Sequence, residues 1–550
     1  MERSNFIWKW IFLFLMHFTQ SYAEKPSVTE MYSRREELNL LKSVLKRFSA
    51  LEELEKENIN KMESIERKLN IISEKISDCV GGISVHPSIP TSQTTRKSPN
   101  TTVKIKSAHT TRTQSATTET TSTKPTSSIT QLPRSIGSRG REFLILFMKN
   151  HPAAKGSPTI YITTGGNASV NISTSNDLNA STKLATDIIL NVSYYSNITL
   201  PYDLSCDYLS IESKAVLLQT SELSTVSIFD SFHKSSNDGT LIISTNRLST
   251  RYLVSSTNPY KKSEGYYSQF AVAALYKDTN VNITFKMKTS TSISLLGGTY
   301  EDQDVLTTTL NKYETLQIMH TSDLTGTFIE STKRIAVFSG NRCQQMKVLA
   351  CSHMVSQLPP TTELDNRYII PAFYGNLGTL IQVISESQNS IKISEGRNSS
   401  TLHMNEKEFM NIEVTSGETT TVESDNPVLV TGFAMGSSNK DPYMTVIPGV
   451  NQYVDYYNVV VPDGYAKNYI CVIIQQKYTD DLKINDTSTD HYKSVQQSSA
   501  AFETTYSIRI FEVDSGPIVI STTNNSTFGL IVYGHRMDDG YAFTGNYVLS

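Results

Sequence analysis

A strand pattern that recurs four times after Phe143 constrains this chain more than any other feature. Each copy opens with a short apolar entry segment, at residues 143–146, 251–254, 367–371 and 457–462. A strand–turn–strand stretch follows in each copy, and in three of the four an apolar run closed by Gly comes later. Runs of β-branched and aromatic residues separated by Gly, Asn, Asp and Ser are typical of strands joined by turns. The pattern predicts an all-β head of about four repeats.

The spacing of the entry segments gives each repeat about 90–115 residues, enough for some six strands of a small sandwich. We therefore expect tandem or fused β-sandwich-like repeats. A β-propeller of enlarged blades is the alternative, because ordinary four-stranded blades take about 40–50 residues. The clearest strand candidates are residues 159–163, 270–276, 335–338, 380–384, 428–431, 459–461, 469–474 and 530–533.

Residues 1–23 have the composition of a secretory signal peptide. Arg3 and Lys9 precede a short apolar run, and Ser21 and Ala23 put small residues at cleavage positions −3 and −1. No later stretch reaches the roughly 18 apolar residues of a membrane span, and the chain ends without the hydrophobic tail of a lipid anchor. We expect a secreted, extracellular protein with no membrane span.

Residues 35–80 predict an α-helical coiled coil. Apolar residues recur at alternating spacings of three and four from Leu41 to Ile76, which is the a/d pattern of helices that pair. A partner helix would make the protein a homo-oligomer, and packing against the β head is the alternative. Cys79 occupies the last d position, where the same residue of a partner helix would lie opposite, so we expect an interchain disulfide.

Residues 81–134 form a Ser/Thr/Pro-rich linker with almost no large apolar side chains. Such a segment stays disordered because it has nothing to bury, and its composition is that of an O-glycosylated stalk. Its excess of Lys and Arg would attract anionic glycans or simply keep the linker extended. The whole chain has a formal net charge of −3, which gives no reason to expect nucleic-acid binding.

Eleven Asn-X-Ser/Thr sequons predict N-glycosylation of exposed loops. They lie at Asn100, Asn167, Asn171, Asn179, Asn191, Asn197, Asn282, Asn398, Asn485, Asn524 and Asn525. Five of them fall between Asn167 and Asn197, so we expect that surface to be shielded from protein partners.

Residues 335–371 join a short apolar run, two cysteines, His353, Gln-Leu-Pro-Pro and a strand entry. Residues 441–453 form a second block of the same kind. Residues 532–545, near the end of the chain, add further motifs of this pattern. In these motifs residues 135–550 resemble the N-terminal domain of IgGFc-binding proteins, a family of secreted proteins. The resemblance implies a recognition or adhesion domain, with a role in innate or mucosal immunity, and supplies neither a catalytic mechanism nor a ligand.

The five cysteines suggest disulfides in an oxidising compartment. Cys343 and Cys351 bracket seven residues, few enough for a loop-stapling bridge, and the family resemblance supports this pairing. Cys206 and Cys471 are expected to form a long-range bridge, with a pair of buried free thiols as the alternative. Cys343, Cys351 and His353 fall short of the four ligands of structural zinc, so no metal site is expected.

No catalytic motif is present: the chain has no GxSxG, HExxH, P-loop or GxGxxG sequence. The acidic pairs Asp302/Asp304 and Asp538/Asp539 would serve as calcium ligands or as solvated turns. We expect no enzyme and no cofactor.

The ligand-binding residues stay unknown at this point. Both tryptophans lie in the signal peptide, so sugar stacking would fall to tyrosines such as Tyr266, Tyr267, Tyr456, Tyr457 and Tyr541, which as core or turn residues would instead be structural. A secreted, oligomeric recognition or adhesion protein for a glycoprotein, glycan or microbial surface is the leading hypothesis. A structural component of mucus or matrix is the alternative, and an enzyme is the third.

Overall fold

The computed structural model describes residues 136–549, apart from residues 152–155, 208, 231–235, 261–264, 348–350, 397 and 416. The predicted signal peptide, coiled coil and linker lie outside the described residues, as do Cys79 and Asn100. The described part consists mostly of strands, which confirms the all-β class. All eight strand candidates from the sequence coincide with strands, although residues 275–276 lie beyond the strand that ends at Ala274.

The strands are grouped by repeat. Repeat 1 contains β1 Gly140–Ile145, β2 Thr159–Ser173, helix α1 Ala180–Thr186, β3 Ile188–Thr199, β4 Ile211–Glu212, β5 Val216–Phe229 and β6 Gly239–Ile242. Repeat 2 contains β7 Ser249–Leu253, β8 Ser268–Ala274, β9 Thr279–Thr284, β10 Ile293–Leu295, β11 Gly298–Tyr300, β12 Val305–Leu310, β13 Thr315–His320, β14 Phe328–Gln344 and β15 Ser352–Gln357.

Repeats 3 and 4 complete the head. Repeat 3 contains β16 Asp365–Ile370, β17 Gly378–Ser385, β18 Asn389–Glu395, β19 Asn398–Met404, β20 Glu408–Thr415, β21 Thr420–Ala434 and β22 Tyr443–Val446. Repeat 4 contains β23 Tyr456–Val461, β24 Lys467–Gln475, β25 Leu482–Ile484, β26 Thr487–Ser488, β27 Ser494–Ala501, β28 Thr505–Val513, β29 Gly516–Thr522, β30 Phe528–Arg536 and β31 Asp539–Thr544. Short 3₁₀ turns occupy Tyr202–Leu204, Thr245–Arg247, Thr361–Glu363, Val450–Gln452, Gln476–Asp481 and Thr489–His491.

All four repeats share one plan. An entry strand (β1, β7, β16 or β23) pairs antiparallel with a long strand. The long strand is β5, β14 or β21, and in repeat 4 it is divided into β29 and β30. A short inner strand (β6, β15, β22 or β31) then pairs antiparallel with the end of the long strand. The recurrence of this plan explains the periodic entry segments in the sequence.

Entry tyrosines fasten the entry strands at the same place in three repeats. The hydroxyl of Tyr252 accepts from Ser249 N at 2.9 Å and donates to Ile335 O at 2.8 Å. In repeat 3, Tyr368 accepts from Asp365 N at 2.8 Å and donates to Val428 O. Tyr457 repeats the contact with the carbonyl of Phe528 in repeat 4, and Phe143 occupies the position in repeat 1. Each hydroxyl satisfies backbone groups where the pairing of entry and long strands is interrupted.

The four inner strands form a closed ring. β6 packs beside β15, β15 beside β22, β22 beside β31, and β31 beside β6. The first two run parallel, because backbone N–H groups of His353, Val355 and Gln357 meet side chains of Ser236, Asp238 and Thr240 in the same order. Inner strands arranged around an axis are the hallmark of a propeller.

The hydrophobic cores lie between repeats rather than inside them. In β8, Phe270 and Val272 belong to a core shared with repeat 3, whereas Ala271 and Ala273 belong to a core shared with repeat 1. A third core joins repeats 3 and 4, and a fourth brings Tyr161 and Phe229 of repeat 1 into repeat 4. The repeats are therefore fused into a closed stack, which differs from tandem sandwiches with one core each. The difference arises because both faces of these sheets are apolar and must be covered.

The two ends of the described head meet and close the ring. Oδ1 of Asn546 accepts hydrogen bonds from Ser138 N at 2.8 Å, Ser138 Oγ at 2.6 Å and Tyr547 N at 2.9 Å. Its Nδ2 donates to Ile136 O at 3.3 Å. Gly137 lies against this side chain with φ +59°, where an added Cβ would come within 2.5 Å of Asn546 Oδ1. A residue without a side chain is therefore needed at this contact.

Candidate functional site at the axial end

A single buried carboxylate ties the four repeats together at the end of the ring where the inner strands begin. Oδ1 of Asp238 accepts from Gly239 N at 2.9 Å and from Ala542 N at 3.2 Å. Oδ2 accepts from Val355 N at 3.2 Å and from Met444 N at 3.2 Å. One donor comes from each inner strand, so Asp238 replaces the backbone acceptors that neighbouring strands would otherwise supply.

Asp238 is fully buried, and burial raises its pKa well above the ordinary value even though its four backbone hydrogen bonds act in the opposite direction. Removal of this carboxyl group would leave four buried N–H groups without an acceptor. The group is structural: it positions the strand ends around it.

A second buried carboxylate joins repeats 4 and 1 beside this hub. Asp539 accepts from Asn237 N at 3.0 Å and from Asn237 Nδ2 at 2.5 Å, and it forms an ion pair with Arg536 at 2.7 Å. Burial raises the pKa of Asp539, opposed by the hydrogen bonds from Asn237 and the charge of Arg536. Of the acidic pair Asp538/Asp539 noted in the sequence, Asp539 thus holds repeats 4 and 1 together.

Asp441 is the third carboxyl at this end. It precedes inner strand β22 and is 3% exposed. Burial, with repulsion from Asp539 and Asp538, raises the pKa of Asp441 to about 7. The axial end therefore holds three buried carboxyl groups, and Asp441 is the one whose pKa lies near neutral pH.

Several connecting segments meet around these carboxyls. Arg342 Nε donates to Asn150 O at 3.1 Å, Asp538 N to Asn439 O at 3.2 Å, and Arg536 to Gly464 O at 3.2 Å. We call this region the axial end; it comprises residues 147–151, 236–238, 341–347, 371–377, 435–441, 463–468 and 536–539. Residues from all four repeats contribute to it, so this surface forms only when the ring is assembled.

The sequons avoid the axial end. Of the ten in the described part, nine have exposed asparagines and Asn171 is half-buried. They lie on β2, β3, β9 and β19, at the start of α1 and in the turns after β25 and β29: Asn167, Asn171, Asn179, Asn191, Asn197, Asn282, Asn398, Asn485, Asn524 and Asn525. None lies in an axial segment. Glycans at these positions would cover the outer strands and leave the axial end open.

The cysteines only partly follow expectation. Cys343 and Cys351 form the expected disulfide at the axial end. The bridge expected between Cys206 and Cys471 is wrong, because both thiols are free and buried in different cores. Burial raises the pKa of Cys206 to about 12 and also raises that of Cys471. Neither is suited to act as a nucleophile.

The histidine beside the disulfide is not the one that the sequence singled out. His151 brings a ring nitrogen near both sulfurs, and burial, with the charge of Arg342, lowers its pKa. His353 is fully buried on β15, with Nε2 at 3.3 Å from Asp230 Oδ2. The sulfurs are bonded to one another, so they do not form a ready metal site.

The other sequence candidates occupy structural positions. Asp302 accepts a hydrogen bond from the distant backbone of Met287, and Asp304 accepts one from Glu301 N within its own turn. Tyr457 and Tyr541 are buried, whereas Tyr266, Tyr267 and Tyr456 are half-buried.

Sequence reasoning missed Asp238 and Asp441. An alignment of the repeats with one another would have signalled them, because an Asp stands just before the inner strand in three of the four.

A comparison with protein families identifies the head. The family model described as "IgGFc binding protein" matches residues 238–534, from the hub carboxylate into β30. The chain belongs to the IgGFc-binding protein family. Human IgGFc-binding protein is 26% identical over 310 residues, which make up 55% of this chain and 6% of the human protein. The family resemblance seen in the sequence is thus confirmed.

Two solved structures of bacterial ice-binding adhesins show only a remote likeness to this IgGFc-binding family member. One, a Ca²⁺-stabilised adhesin of an Antarctic bacterium, aligns with 75% of this chain and 100% of its own at a TM-score of 0.10 and 10% identity. The other, a 1.5-MDa ice-binding adhesin, aligns with 56% of this chain and 98% of its own at a TM-score of 0.09 and 10% identity. Neither carries an argument about fold or function.

Among the described residues, no helix has the length and apolarity needed to cross a bilayer.

Proposed function

We propose that this chain is a secreted, glycosylated recognition or adhesion protein whose axial end contacts the partner. The observation that carries the proposal is the distribution of sequons: ten surround the outer strands and none lies in the axial segments. A glycan excludes protein partners from the surface it covers, so the axial end, whose segments carry no sequon, stays available for contact. The protein acts by binding rather than by catalysis.

The family membership and the predicted signal peptide support this proposal. The human relative is named IgGFc-binding protein, which makes immunoglobulin Fc one partner to test for this chain. A mucin and a microbial surface are the others, because a role in mucosal or innate immunity would require contact with such glycan-rich surfaces.

The N-terminal segments complete the proposal. The a/d seam in residues 35–80 would assemble several heads, and Cys79 would link the helices covalently. Linking weakly binding heads raises avidity by about 10²–10⁴-fold when the linker spans the sites. Non-reducing electrophoresis and light scattering of wild type and Cys79→Ala test this step, and a wild-type monomer would refute it.

A glycan placed on the axial end tests the binding surface. Gln345→Asn together with Lys347→Thr creates a sequon at position 345, within an axial segment. We expect this full-length variant to lose at least about tenfold in binding to immobilised IgG Fc, mucin or fixed bacterial cells, whichever the wild type binds, because the glycan blocks close approach.

Two controls accompany the axial glycan. Lys347→Thr alone makes no sequon, so it measures the effect of that substitution without the glycan, and the double variant should bind much more weakly than it does. Thr289→Asn creates a sequon at an exposed position outside the axial segments and should bind like the wild type. Unchanged binding by the axial variant would contradict the proposed surface. Failure of the wild type to bind all three probes would favour a structural role in mucus or matrix.

A further inference from the structure

The sheet of repeat 1 ends in a long edge strand. Strand β3, Ile188–Thr199, has 12 residues, and within the described part of the chain it pairs only with β2. The edge strands β20 and β27 of repeats 3 and 4 have 8 residues each. A free edge offers a row of backbone N–H and C=O groups to any other extended chain. The length of β3 therefore favours pairing with a further strand.

Strand β3 also lacks the charges that usually prevent such pairing. Its sequence, IILNVSYYSNIT, contains no Asp, Glu, Lys, Arg, Pro or Gly and is rich in β-branched and aromatic residues. By contrast, β20 carries Glu408 and Glu413, and most of β27 is Ser and Gln. Uncharged segments with the composition of β3 are the ones that associate strand to strand when their edge is exposed.

Apolar side chains are exposed along β3. Ile189 is 77% exposed and Tyr195 is 48% exposed, whereas Val192 and Ile198 are buried in the core. Ile189 and Tyr195 therefore lie on the outward face of the strand. They stand on either side of Tyr194, whose φ of +69° accompanies the shift in register between β3 and β2. This bulge divides the strand but covers neither exposed side chain.

Two sequons share the outward face of β3 with these apolar side chains. Asn191 and Asn197 are both exposed, and each stands two residues beyond an exposed apolar residue, Ile189 or Tyr195. Because alternate residues of a strand lie on one face about 7 Å apart, the first sugar at either sequon lies beside that apolar side chain. The rest of each glycan has room to extend past the outermost strand.

A sequon lies on or beside an outermost strand in the other repeats as well. Asn282 of repeat 2 is paired with Thr307 of the outermost strand β12. Asn398 begins β19, and Asn485 lies in the turn that leads into β26; both strands are outermost in their sheets. The recurrence indicates that the sequons are placed with respect to sheet edges.

We propose that N-glycans on Asn191 and Asn197 keep the free edge of β3 from pairing with β3 of a second copy of this chain. The partner is a second copy because it presents the same uncharged edge, so no charge on either strand repels the other. Paired strands lie about 4.8 Å apart, a separation that two bulky glycans on the outermost strand prevent. This inference rests on the glycosylation in the proposed function and adds a role for glycans away from the axial end.

The test uses the full-length secreted protein. Ser193→Ala together with Thr199→Ala removes both sequons of β3 and keeps their asparagines. Thr284→Ala together with Thr487→Ala is the matched control, because it removes two sequons in repeats 2 and 4 and likewise keeps the asparagines. Mass spectrometry of the wild type should find glycans on both asparagines of β3, and unmodified asparagines there would overturn the proposal.

Hydrogen exchange of residues 188–199 detects the pairing. In the variant without β3 glycans, exchange should slow at least about tenfold, because the free N–H groups of the edge gain acceptors. Light scattering should show at least a doubling of mass wherever the paired edges belong to separate molecules. The matched control should keep the exchange and the mass of the wild type. Wild-type exchange in the variant without β3 glycans, or equal slowing in the control, would contradict the proposal.

A pair of lysines on the same strand gives a result of opposite sign. Ile189→Lys with Tyr195→Lys, added to the variant without β3 glycans, places like charges on both edges. Fast exchange should return, and secretion should recover if loss of the glycans reduces it; damage to the fold cannot produce either gain. Failure of the lysines to restore them would overturn the proposal. If β3 stays unpaired without its glycans while the axial glycan still weakens binding, this inference falls and the proposed function stands.

Discussion

At the scale of single residues, the head depends on buried carboxyls at the ends of its inner strands. Asp238 accepts four backbone hydrogen bonds, whereas Asp539 is satisfied by Asn237 and Arg536. Asp441 has no such set of donors, and its pKa is raised to about 7. Three similar residues thus play different roles, which follow from the donors that the folded chain brings to each one.

Asp238→Asn tests the hub. The amide keeps one accepting oxygen, so two buried N–H groups lose their acceptor and the new NH₂ group faces donors. Because each orphaned buried donor costs about 1–3 kcal/mol, we expect a loss of about 3–5 kcal/mol in the free energy of unfolding. Denaturant unfolding measures it on protein produced without N-glycosylation, because the substitution creates an Asn-Gly-Thr sequon at residues 238–240. Asp278→Asn is the control, since its side chain is 70% exposed; similar midpoints for both variants would contradict the role of Asp238.

Asp441 predicts a pH dependence of stability. Its pKa in the folded state, about 7, exceeds the ordinary value near 3.8, so its contribution to stability is complete below pH 3.8 and is lost as pH rises to 7. Asp441→Asn removes this loss. The variant should gain about 2–4 kcal/mol on the wild type between pH 4 and pH 8, at 1.36 kcal/mol for each pKa unit.

Urea unfolding of both proteins at pH 4.5 and pH 8 measures this gain. Titration of the other groups cancels in the comparison, because it is common to the two proteins. A difference in stability that does not change with pH would mean that Asp441 is ionised in the folded state at all of these pH values.

At the scale of elements, the recurring device is the entry tyrosine. Tyr252, Tyr368 and Tyr457 each bridge an entry strand to its long strand through a hydroxyl. The long strands are interrupted at this point because they leave the entry strand and continue to the inner strand. The long strand pairs first with the entry strand and then with the inner strand. The tyrosine hydroxyl bonds the backbone groups at the point where the long strand passes from one to the other.

Removal of these hydroxyls should weaken each repeat separately. We expect Tyr252→Phe and Tyr368→Phe to lower the free energy of unfolding by about 1–2 kcal/mol each, since a buried carbonyl and a buried N–H lose their partner. The two losses should add in the double variant, because the two hydroxyls bond different backbone groups. Thermal or denaturant unfolding provides the measurement. Tyr276→Phe, at a 44% exposed side chain, should be neutral; a comparable loss there would undermine the interpretation.

At the scale of the whole molecule, stability depends on ring closure. Every core is shared between neighbouring repeats, so an open ring would expose the faces of repeats 1 and 4. The contact between Ser138 and Asn546 holds the two ends together across 408 residues. Closure also creates the axial end, since its segments come from all four repeats.

Asn546→Ala tests this closure. Ser138 N, Ser138 Oγ and Tyr547 N would lose their common acceptor, so we expect the free energy of unfolding to fall by about 2–4 kcal/mol. Limited proteolysis should then cut first near the two ends of the head. Asn546→Asp keeps the accepting oxygen and should recover part of the loss. If the alanine variant resists protease like the wild type, the contact is dispensable for closure.

Local chemistry in the sequence was sufficient for the strand positions, the all-β class and the four entry segments. Side-chain alternation and turn residues encode such features over a few neighbouring positions. The exposed sequons follow the same logic, because polar Asn and Ser/Thr mark solvent-facing turns and strand faces. The pairing of Cys343 with Cys351 was accessible from their short separation together with the family resemblance.

Only the tertiary structure decided which sheet faces pack together and which inner-strand ends meet. Asp238, Val355, Met444 and Ala542 are each separated by about ninety residues or more, and no local pattern says that one carboxylate serves all four inner strands. Cys206 and Cys471 stay unbridged because the stacking of the sheets places them in different cores. The choice between tandem sandwiches and a closed ring depended on the pairing of apolar faces, which are chemically alike along the chain. Hydrophobic burial is non-directional, so the sequence pattern does not specify which apolar face packs against which. Only the assembled ring specifies this pairing.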